Sequence, residues 1–337
     1  MNPHFIQYTQ TFFNEHSSWH EKREALIALQ RLFVALGAEE SVNRLDNQLH
    51  TWLPSGFAIH PVSAGVCMLE VGRTLAFTQA LKAAIAQRLQ QQNGQTVQVL
   101  DAGCGPYVLL CLLVTPFFTP EEVQFTVLDI YQQNLDSAGT LVRALGVEAY
   151  FSEMLKEDAS VWTIPPNKTI HIAISETMKS ALYKEPQTAI TLNIAPQLGH
   201  DGLFIPRKIT VDLRMVNRPV RNEWLTSVHK QDAICYSDFE TELGPILSLS
   251  AGTTREALEQ AALATFTIPN NYDPGVHQLE LFTTIELFGN ISLTRKQSSI
   301  TLPVPLEKHY ETTIAAGSTL VFRHELSGTP GLRFVLG

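Results

Sequence analysis

Apolar side chains over the first fifty residues return at the spacing of a helix face. Ala25, Leu26, Leu29, Leu32, Phe33 and Leu36 form one stripe, and Gly37 is a natural stop. The spacing predicts helices over residues 1 to about 50 and a break at Pro54-Ser55-Gly56. It predicts a further helix or helix pair over 63–92, ending at Asn93-Gly94. From Thr96 the period changes. Val97–Asp101 and Phe125–Asp129 are short, mostly apolar runs, each followed by a helical stretch, one from about Val108 and one over 131–145. Val147–Phe151 and Thr169–Ser175 read as a third and a fourth strand. Strands that alternate with helices and have no polar face belong to a parallel sheet covered on both sides. After Pro206 the pattern changes again. Ile209–Val216, Leu279–Leu287, Asn290–Thr294, Ser299–Leu302, Thr319–Arg323 and Leu332–Leu336 read as short strands, with one helix at Thr253–Ala264. No βαβ period is visible there, so this half is expected to be an antiparallel sandwich or barrel.

The expected fold class is an α/β Rossmann-like domain with N-terminal helices, followed by an antiparallel β-barrel or sandwich. The divisions fall at 1–60, 61–205 and 206–337, with the main boundary near Phe204-Ile205-Pro206-Arg207. At 337 residues, 45% hydrophobic and 17% charged, the chain can bury two packed cores. A net charge of −9 and a pI near 5.7 argue against duplex nucleic acid as a partner. The four cysteines, Cys67, Cys104, Cys111 and Cys235, form no CxxC pair and no cluster with metal-ligand spacing. No metal is expected, and this cysteine usage fits a reducing compartment. The longest apolar run, Val108–Val114, is far too short to span a bilayer. His4, Glu15 and Glu21 interrupt the N-terminus as no signal peptide does. The expectation is a cytoplasmic protein with neither a membrane nor a nucleic-acid partner.

The sharpest local motif is Val99-Leu100-Asp101-Ala102-Gly103-Cys104-Gly105, a strand that ends in a glycine turn. Glycines let the backbone approach a ligand, and the following helix offers free N–H groups. Asp129 ends the next strand, where an acid can accept hydrogen bonds from ribose hydroxyls. A phosphate loop is missing and so is the third glycine of GxGxxG, so a ligand with a ribose and no pyrophosphate fits best. Tyr107 stands near the position of that third glycine, and Pro106-Tyr107 is expected to narrow the space beside the ligand. Glu176 follows the fourth strand and Glu185 lies nine residues on. Two close carboxylates repel unless a cation lies between them, and a planar guanidinium matches such a pair.

Three stretches, taken together, resemble the protein arginine methyltransferases. Ser175-Glu176-Thr177-Met178-Lys179-Ser180-Ala181-Leu182-Tyr183-Lys184-Glu185 looks like that family's double-glutamate loop, and Asp201–Arg207 like the turn and strand after it. Met68-Leu69-Glu70-Val71-Gly72-Arg73-Thr74-Leu75-Ala76-Phe77 looks like its M-L-x-D-x-x-R-T-x-x-Y helix, and Asp101, Gly103 and Gly105 match its cofactor turn. The resemblance covers about residues 60–216. It implies S-adenosylmethionine (SAM) as cofactor, with Arg73 on its carboxylate and Met68 near its sulfonium. Asp129, where the family usually has Glu, would take the ribose. Asp158, preferred over Glu153, would contact adenine. Glu176 and Glu185 would be the catalytic pair that clamps a cationic, arginine-like acceptor. The implied function is N-methyl transfer to a guanidino nitrogen of a small molecule or a protein. The alternatives are methyl transfer to another metabolite amine or hydroxyl, or a SAM-fold pseudoenzyme. A homodimer is a further expectation, with 229–276 as arm or lid. Two departures stand out. The family's Thr-His-Trp loop has no counterpart in Leu293–Ser298, and none of His277, His309 and His324 precedes a Trp. Pro186-Gln187 replaces the methionine after the second glutamate.

Overall fold

The computed structural model describes residues 1–38, 51–91, 94–226, 236–306 and 313–337. Expectations that fell on 39–50, Asn93, 229–235 and His309 lie outside the described residues. Helix α1 (Pro3–Phe13) starts at Asn2, whose side chain accepts from the His4 and Phe5 amides. Helix α2 (Trp19–Ala35) starts at a capping box in which the Ser18 hydroxyl and the Glu21 carboxylate satisfy each other's backbone N–H. The apolar stripe seals the pair, with Phe5, Phe12, Leu26, Leu29 and Phe33 fully buried. At the expected break the chain forms a hairpin, β1 (Thr51–Leu53) and β2 (Gly56–Ala58). The helix expected over 63–92 divides into α3 (Pro61–Ala64), a 3-10 turn (Gly65–Leu69) and α4 (Val71–Gln91).

Strands β3 (Val97–Ala102), β4 (Val123–Asp129), β5 (Phe151–Lys156), β6 (Ile172–Ile174) and β7 (Leu203–Ile205) form a fully parallel sheet in the order β5-β4-β3-β6-β7. Helices α5 (Leu109–Leu112), α6 (Gln132–Leu145) and α7 (Gln187–Ile194) connect them. This is the Rossmann-like layer arrangement read from the strand–helix alternation. The third strand begins later than expected. Gly146 ends α6 in the left-handed region (φ 68) and residues 148–150 wind into a 3-10 turn, so pairing starts only at Phe151. The helix expected from Val108 is short, because 3-10 geometry takes over at Thr115-Pro116-Phe117.

The second half is antiparallel. Strands β8 (Lys208–Asn217), β9 (Glu240–Ser250), β11 (His277–Phe288), β12 (Ile291–Leu293) and β13 (Val304–Pro305) make one sheet, ordered β12-β11-β8-β9 with β13 also on β11. Strands β10 (Ala264–Thr267), β14 (Thr319–Glu325) and β15 (Gly331–Leu336) make another, ordered β10-β14-β15. Helix α8 (Arg218–Thr226) follows β8, and α9 (Arg255–Leu258) is all that forms of the helix expected at Thr253–Ala264. The pattern did not reveal β9, whose run of apolar positions is interrupted by Gly244-Pro245. As the edge strand it absorbs the pair with two shifts of register, opposite Val211/Asp212 and Leu213/Arg214. Ser299–Leu302 is not a strand: Ser298 and Thr301 cap one another and close a 3-10 turn. One apolar core runs from Phe5 and Phe33 through Phe77, Val99 and Val127 to Leu213, Leu281 and Leu320, so the two halves share an interior. Among the described residues no helix is long and apolar enough to cross a membrane.

The N-terminal helices bear on the glycine turn through aromatic contacts. Phe33 lies 5.6 Å from the Tyr107 ring and 6.4 Å from Phe5. Phe33→Ala should therefore lower folding stability by about 3–5 kcal/mol in denaturant titrations. A loss under about 1 kcal/mol would mean that the helix pair does not support the turn.

Candidate active site

The parallel sheet reverses its strand order beside β3, with β4 on one side and β6 on the other, and ligands of open α/β sheets bind outside the strand ends at such a point. A cavity of about 190 Å³ lies there. It is lined by all nine residues singled out from the sequence: Met68, Arg73, Asp101, Gly103, Gly105, Asp129, Asp158, Glu176 and Glu185. They come from α4 and the turn before it, the ends of β3 and β4, the loop after β5 and the loop after β6. Residues separated by more than a hundred positions thus meet at one face of the sheet.

The glycine turn has a definite shape. The Gly103 and Cys104 amides both donate to the Leu128 carbonyl at 3.0 Å, folding the chain back over β4. Gly103 has φ 97, and a Cβ there would lie 2.5 Å from the Thr177 methyl, so both backbone and space require glycine. Asp129 is held from three sides, by the Gly105 amide, the Asn134 side chain and the Tyr131 amide, each at 2.9 Å. Burial still pushes its carboxyl above the usual range, although these donors oppose the shift. Asp101 is 1% exposed, takes only a weak Cys111 S–H contact at 3.6 Å, and has one oxygen with no hydrogen-bond partner. Burial pushes it up to about 7. Asp158 uses one oxygen to accept from the Ser160 amide and hydroxyl, which fixes the side chain at the cavity wall. Met68 is buried, and its carbonyl accepts from the Thr74 hydroxyl. The Tyr107 residue borders the cavity, but its ring is buried in the core against Phe33.

The loop from Glu176 to Glu185 is built under strain. Ala181, Leu182 and Lys184 all have positive φ (58, 54 and 67), each costing about 1–3 kcal/mol unless its surroundings enforce it. They are enforced from the β-half. The Thr283 hydroxyl accepts from the Ala181 amide at 2.8 Å, the Ser180 hydroxyl donates to the Ser299 carbonyl at 2.8 Å, and the Lys184 amide donates to the Pro330 carbonyl at 2.8 Å. On the other side the Gln187 side chain accepts from the Thr177 amide at 3.0 Å. Gln187, a departure from the family pattern, thus ties the two ends of the loop together. The β1–β2 hairpin lies over it, with the Phe57 amide on the Lys184 carbonyl and Gly56 so close that a Cβ would meet that oxygen at 2.4 Å.

The two glutamates are not equivalent. Glu176 pairs with Arg73 at 3.4 Å. Glu185 is 5% exposed, and the Lys179 ammonium lies 3.8 Å from it. Burial raises both carboxyls, Glu185 to about 8; Lys179 opposes that shift and Glu176 adds to it. Arg73 is buried between Glu176 and Glu70, with its Nε 3.3 Å from Glu70. Burial would weaken its charge, but these carboxylates more than offset that and hold the guanidinium charged. Glu70 was not singled out from the sequence as a functional side chain. It also accepts from the Ser298 hydroxyl at 2.6 Å and the Ser299 amide at 3.1 Å, and so pins the loop after β12 to the start of α4. Gly72 lies against that loop with no room for a Cβ, which would stand 2.2 Å from the Gln297 carbonyl. Arg295 on the same loop leaves the site for a buried ion pair with Glu240 and packs over the Phe282 ring at 4.7 Å. Among the described residues no group of three or more His, Cys, Asp and Glu could hold a metal ion.

No family model matches the chain, and no curated protein matches its sequence. Solved structures do. The crystal structure of PRMT6-SAH matches with a TM-score of 0.50 over 81% of this chain and 98% of that one, at 11% identity. The fold is that of a protein arginine methyltransferase. The Trypanosoma brucei PRMT1 enzyme–prozyme heterotetrameric complex with AdoHcy matches at a TM-score of 0.49 and 16% identity, over 77% of this chain and 86% of that one. Within this arginine methyltransferase fold the nine residues above occupy one cavity at the strand ends.

The buried carboxyls set a pH dependence. Glu185 rises from 4.5 to about 8 and Asp101 from 3.8 to about 7 on folding, so across that window the folded chain keeps protons that the unfolded chain has lost. Stability measured without ligand should therefore fall as pH rises from about 5 to about 8. Glu185→Gln should flatten that slope, making the variant more stable than the parent near pH 8 but not near pH 4. An unchanged slope in denaturant titrations would contradict the burial of this carboxylate.

Proposed function

We propose that this chain is a SAM-dependent N-methyltransferase that acts on a guanidino nitrogen. The observation that carries the reading is the convergence of two glutamates, the partly buried Glu176 and the buried Glu185, on the cavity that also holds the glycine turn and Asp129. The cavity suits the cofactor in its donor set. Asp129 is pre-oriented by three donors and keeps lone pairs for ribose hydroxyls. The buried, unpartnered oxygen of Asp101 calls for a hydrogen-bond donor or positive charge beside it. Arg73, between Glu70 and Glu176, has donors to share with a carboxylate, Met68 offers an apolar contact, and Asp158 stands at the wall where an adenine amine would be read.

When bound, SAM supplies an activated methyl group. The chain's own work is to hold the acceptor nitrogen in line and to manage charge. Glu185 and Glu176 grip the guanidinium as paired acceptors. A cation against Glu185 reverses the effect of burial and returns that carboxyl to its ionised form. A free guanidinium has a pKa above about 12, so no enzyme carboxylate removes its proton beforehand. The proton leaves as the nitrogen is alkylated, and Glu185, with its raised proton affinity, is the better placed of the pair to accept it. The hairpin roof over the double-glutamate loop supports a small acceptor, since Phe57, Pro54 and Thr51 tie it to Lys184, Gly328 and Tyr131 in turn. An amine of another metabolite is the competing acceptor, because an ammonium also answers the two carboxylates.

The test is transfer of label from methyl-labelled SAM to free arginine and, in parallel, to an arginine-rich peptide. Label on free arginine alone supports a small-molecule enzyme, and label on the peptide a protein enzyme. Label on neither sinks the guanidino reading. Glu176→Gln and Glu185→Gln should each lower kcat by about a hundredfold or more while SAM binding persists. Full turnover in both variants would contradict the clamp.

A further inference from the structure

Lys179 lies inside the double-glutamate loop, and its ammonium reaches Glu185 rather than solvent alone. The Nζ atom is 3.8 Å from Glu185 Oε1 and 4.5 Å from the centroid of the Phe57 ring. That Glu185 oxygen is buried, has no hydrogen-bond partner among the described residues, and is paired with Lys179. The ring face of Phe57 and the carboxylate of Glu185 together make a site for a cation: negative charge on one side and a π-surface on another. Glu176, the other half of the clamp, is already answered by Arg73. Lys179 also lines a second, outer groove with Ser180, Tyr183, Ser299, Ile300 and Val304, and through its contact with Glu185 it stands between that groove and the inner cavity. Its side chain is half exposed, which leaves it free to swing outward.

We propose that Lys179 is an internal competitor for the acceptor site: its ammonium holds the cation position between Glu185 and Phe57, and a cationic acceptor must displace it into the outer groove. This rests on the guanidinium clamp proposed above. The consequence is selectivity. A guanidinium, which can engage both carboxylates in pairs, displaces a single ammonium more readily than a second ammonium does. Lys179 therefore biases the site toward guanidino acceptors over simple amines and screens Glu185 until such an acceptor arrives. The competition is modest, because solvent screens a half-exposed ion pair.

The test uses methylguanidinium as probe and needs no catalysis. Its dissociation constant is measured at about pH 9, where Glu185 is ionised, by ligand-observed NMR titration with the parent, Lys179→Met and Lys179→Arg proteins. Lys179→Met keeps the apolar stem over Phe57 and removes the charge, so methylguanidinium should bind about two- to fivefold more tightly. Methylammonium should gain at least as much, narrowing the preference between the two ions. Lys179→Arg keeps a competing cation and should show no tightening, which separates loss of charge from a change in folding. In the parent protein, methylguanidinium should speed acylation of the Lys179 amine as the side chain is pushed outward. Equal affinity in the parent and Lys179→Met, weaker binding in Lys179→Met, or no binding to either would overturn the proposal. Failure of methyl transfer in every variant, with the tightening present, would instead sink the enzymatic reading and leave the cation competition standing.

Discussion

The site depends on one costly arrangement: three buried carboxylates, Asp101, Asp129 and Glu185, and the partly buried Glu176, held around a single cavity. A buried charge is tolerated only where a partner answers it, and otherwise it takes up a proton. Asp129 is answered by three hydrogen-bond donors and Glu176 by Arg73. Asp101 and Glu185 are answered least, and they are the two pushed furthest, to about 7 and about 8. That imbalance defines the cavity chemically, because positive charge is the natural occupant beside these two groups.

The rest of the structure serves to keep those groups in place. The parallel sheet brings Asp101 and Asp129 to the ends of neighbouring strands, where the reversal of strand order opens a crevice. The β-half does not merely follow the first half in the chain. Through Thr283, Ser299 and Pro330 it holds three residues of the double-glutamate loop in the left-handed region, where no side chain sits without support. Glu70 ties the loop after β12 to α4 and, through Arg73, to Glu176. A change in the β-half therefore reaches the double-glutamate loop through hydrogen bonds that can each be named.

What could be read from the chain divides along physical lines. The parallel sheet was legible because buried strands are apolar on both faces and alternate with helices. The two acid-bearing strand ends and the double-glutamate loop were legible because local motifs carry their own geometry. The hairpin at Thr51–Ala58 was not, since Pro54-Ser55-Gly56 looks the same in a turn and in a break. The edge strand β9 was hidden by Gly244-Pro245, and Ser299–Leu302 changed from strand to 3-10 turn through a cap that only the folded chain supplies. Within the site, the place of Glu70 and the reach of Lys179 depend on contacts with Ser298 and Phe57, far away in sequence. In the Met68–Arg73 stretch the interval is one residue shorter than in the family motif, and Glu70 stands in extended backbone between the 3-10 turn and α4.

The most direct measurement is calorimetric titration of the protein with SAM at pH 7 in two buffers of different ionisation enthalpy. Cationic SAM entering a cavity whose carboxyls hold protons near neutrality should bind at one site and release protons. The release should shrink with the demethylated product, which lacks the sulfonium charge, and in Glu185→Gln. If neither SAM nor that product binds, or if SAM binds with no proton release, the buried-carboxylate account of this site is wrong.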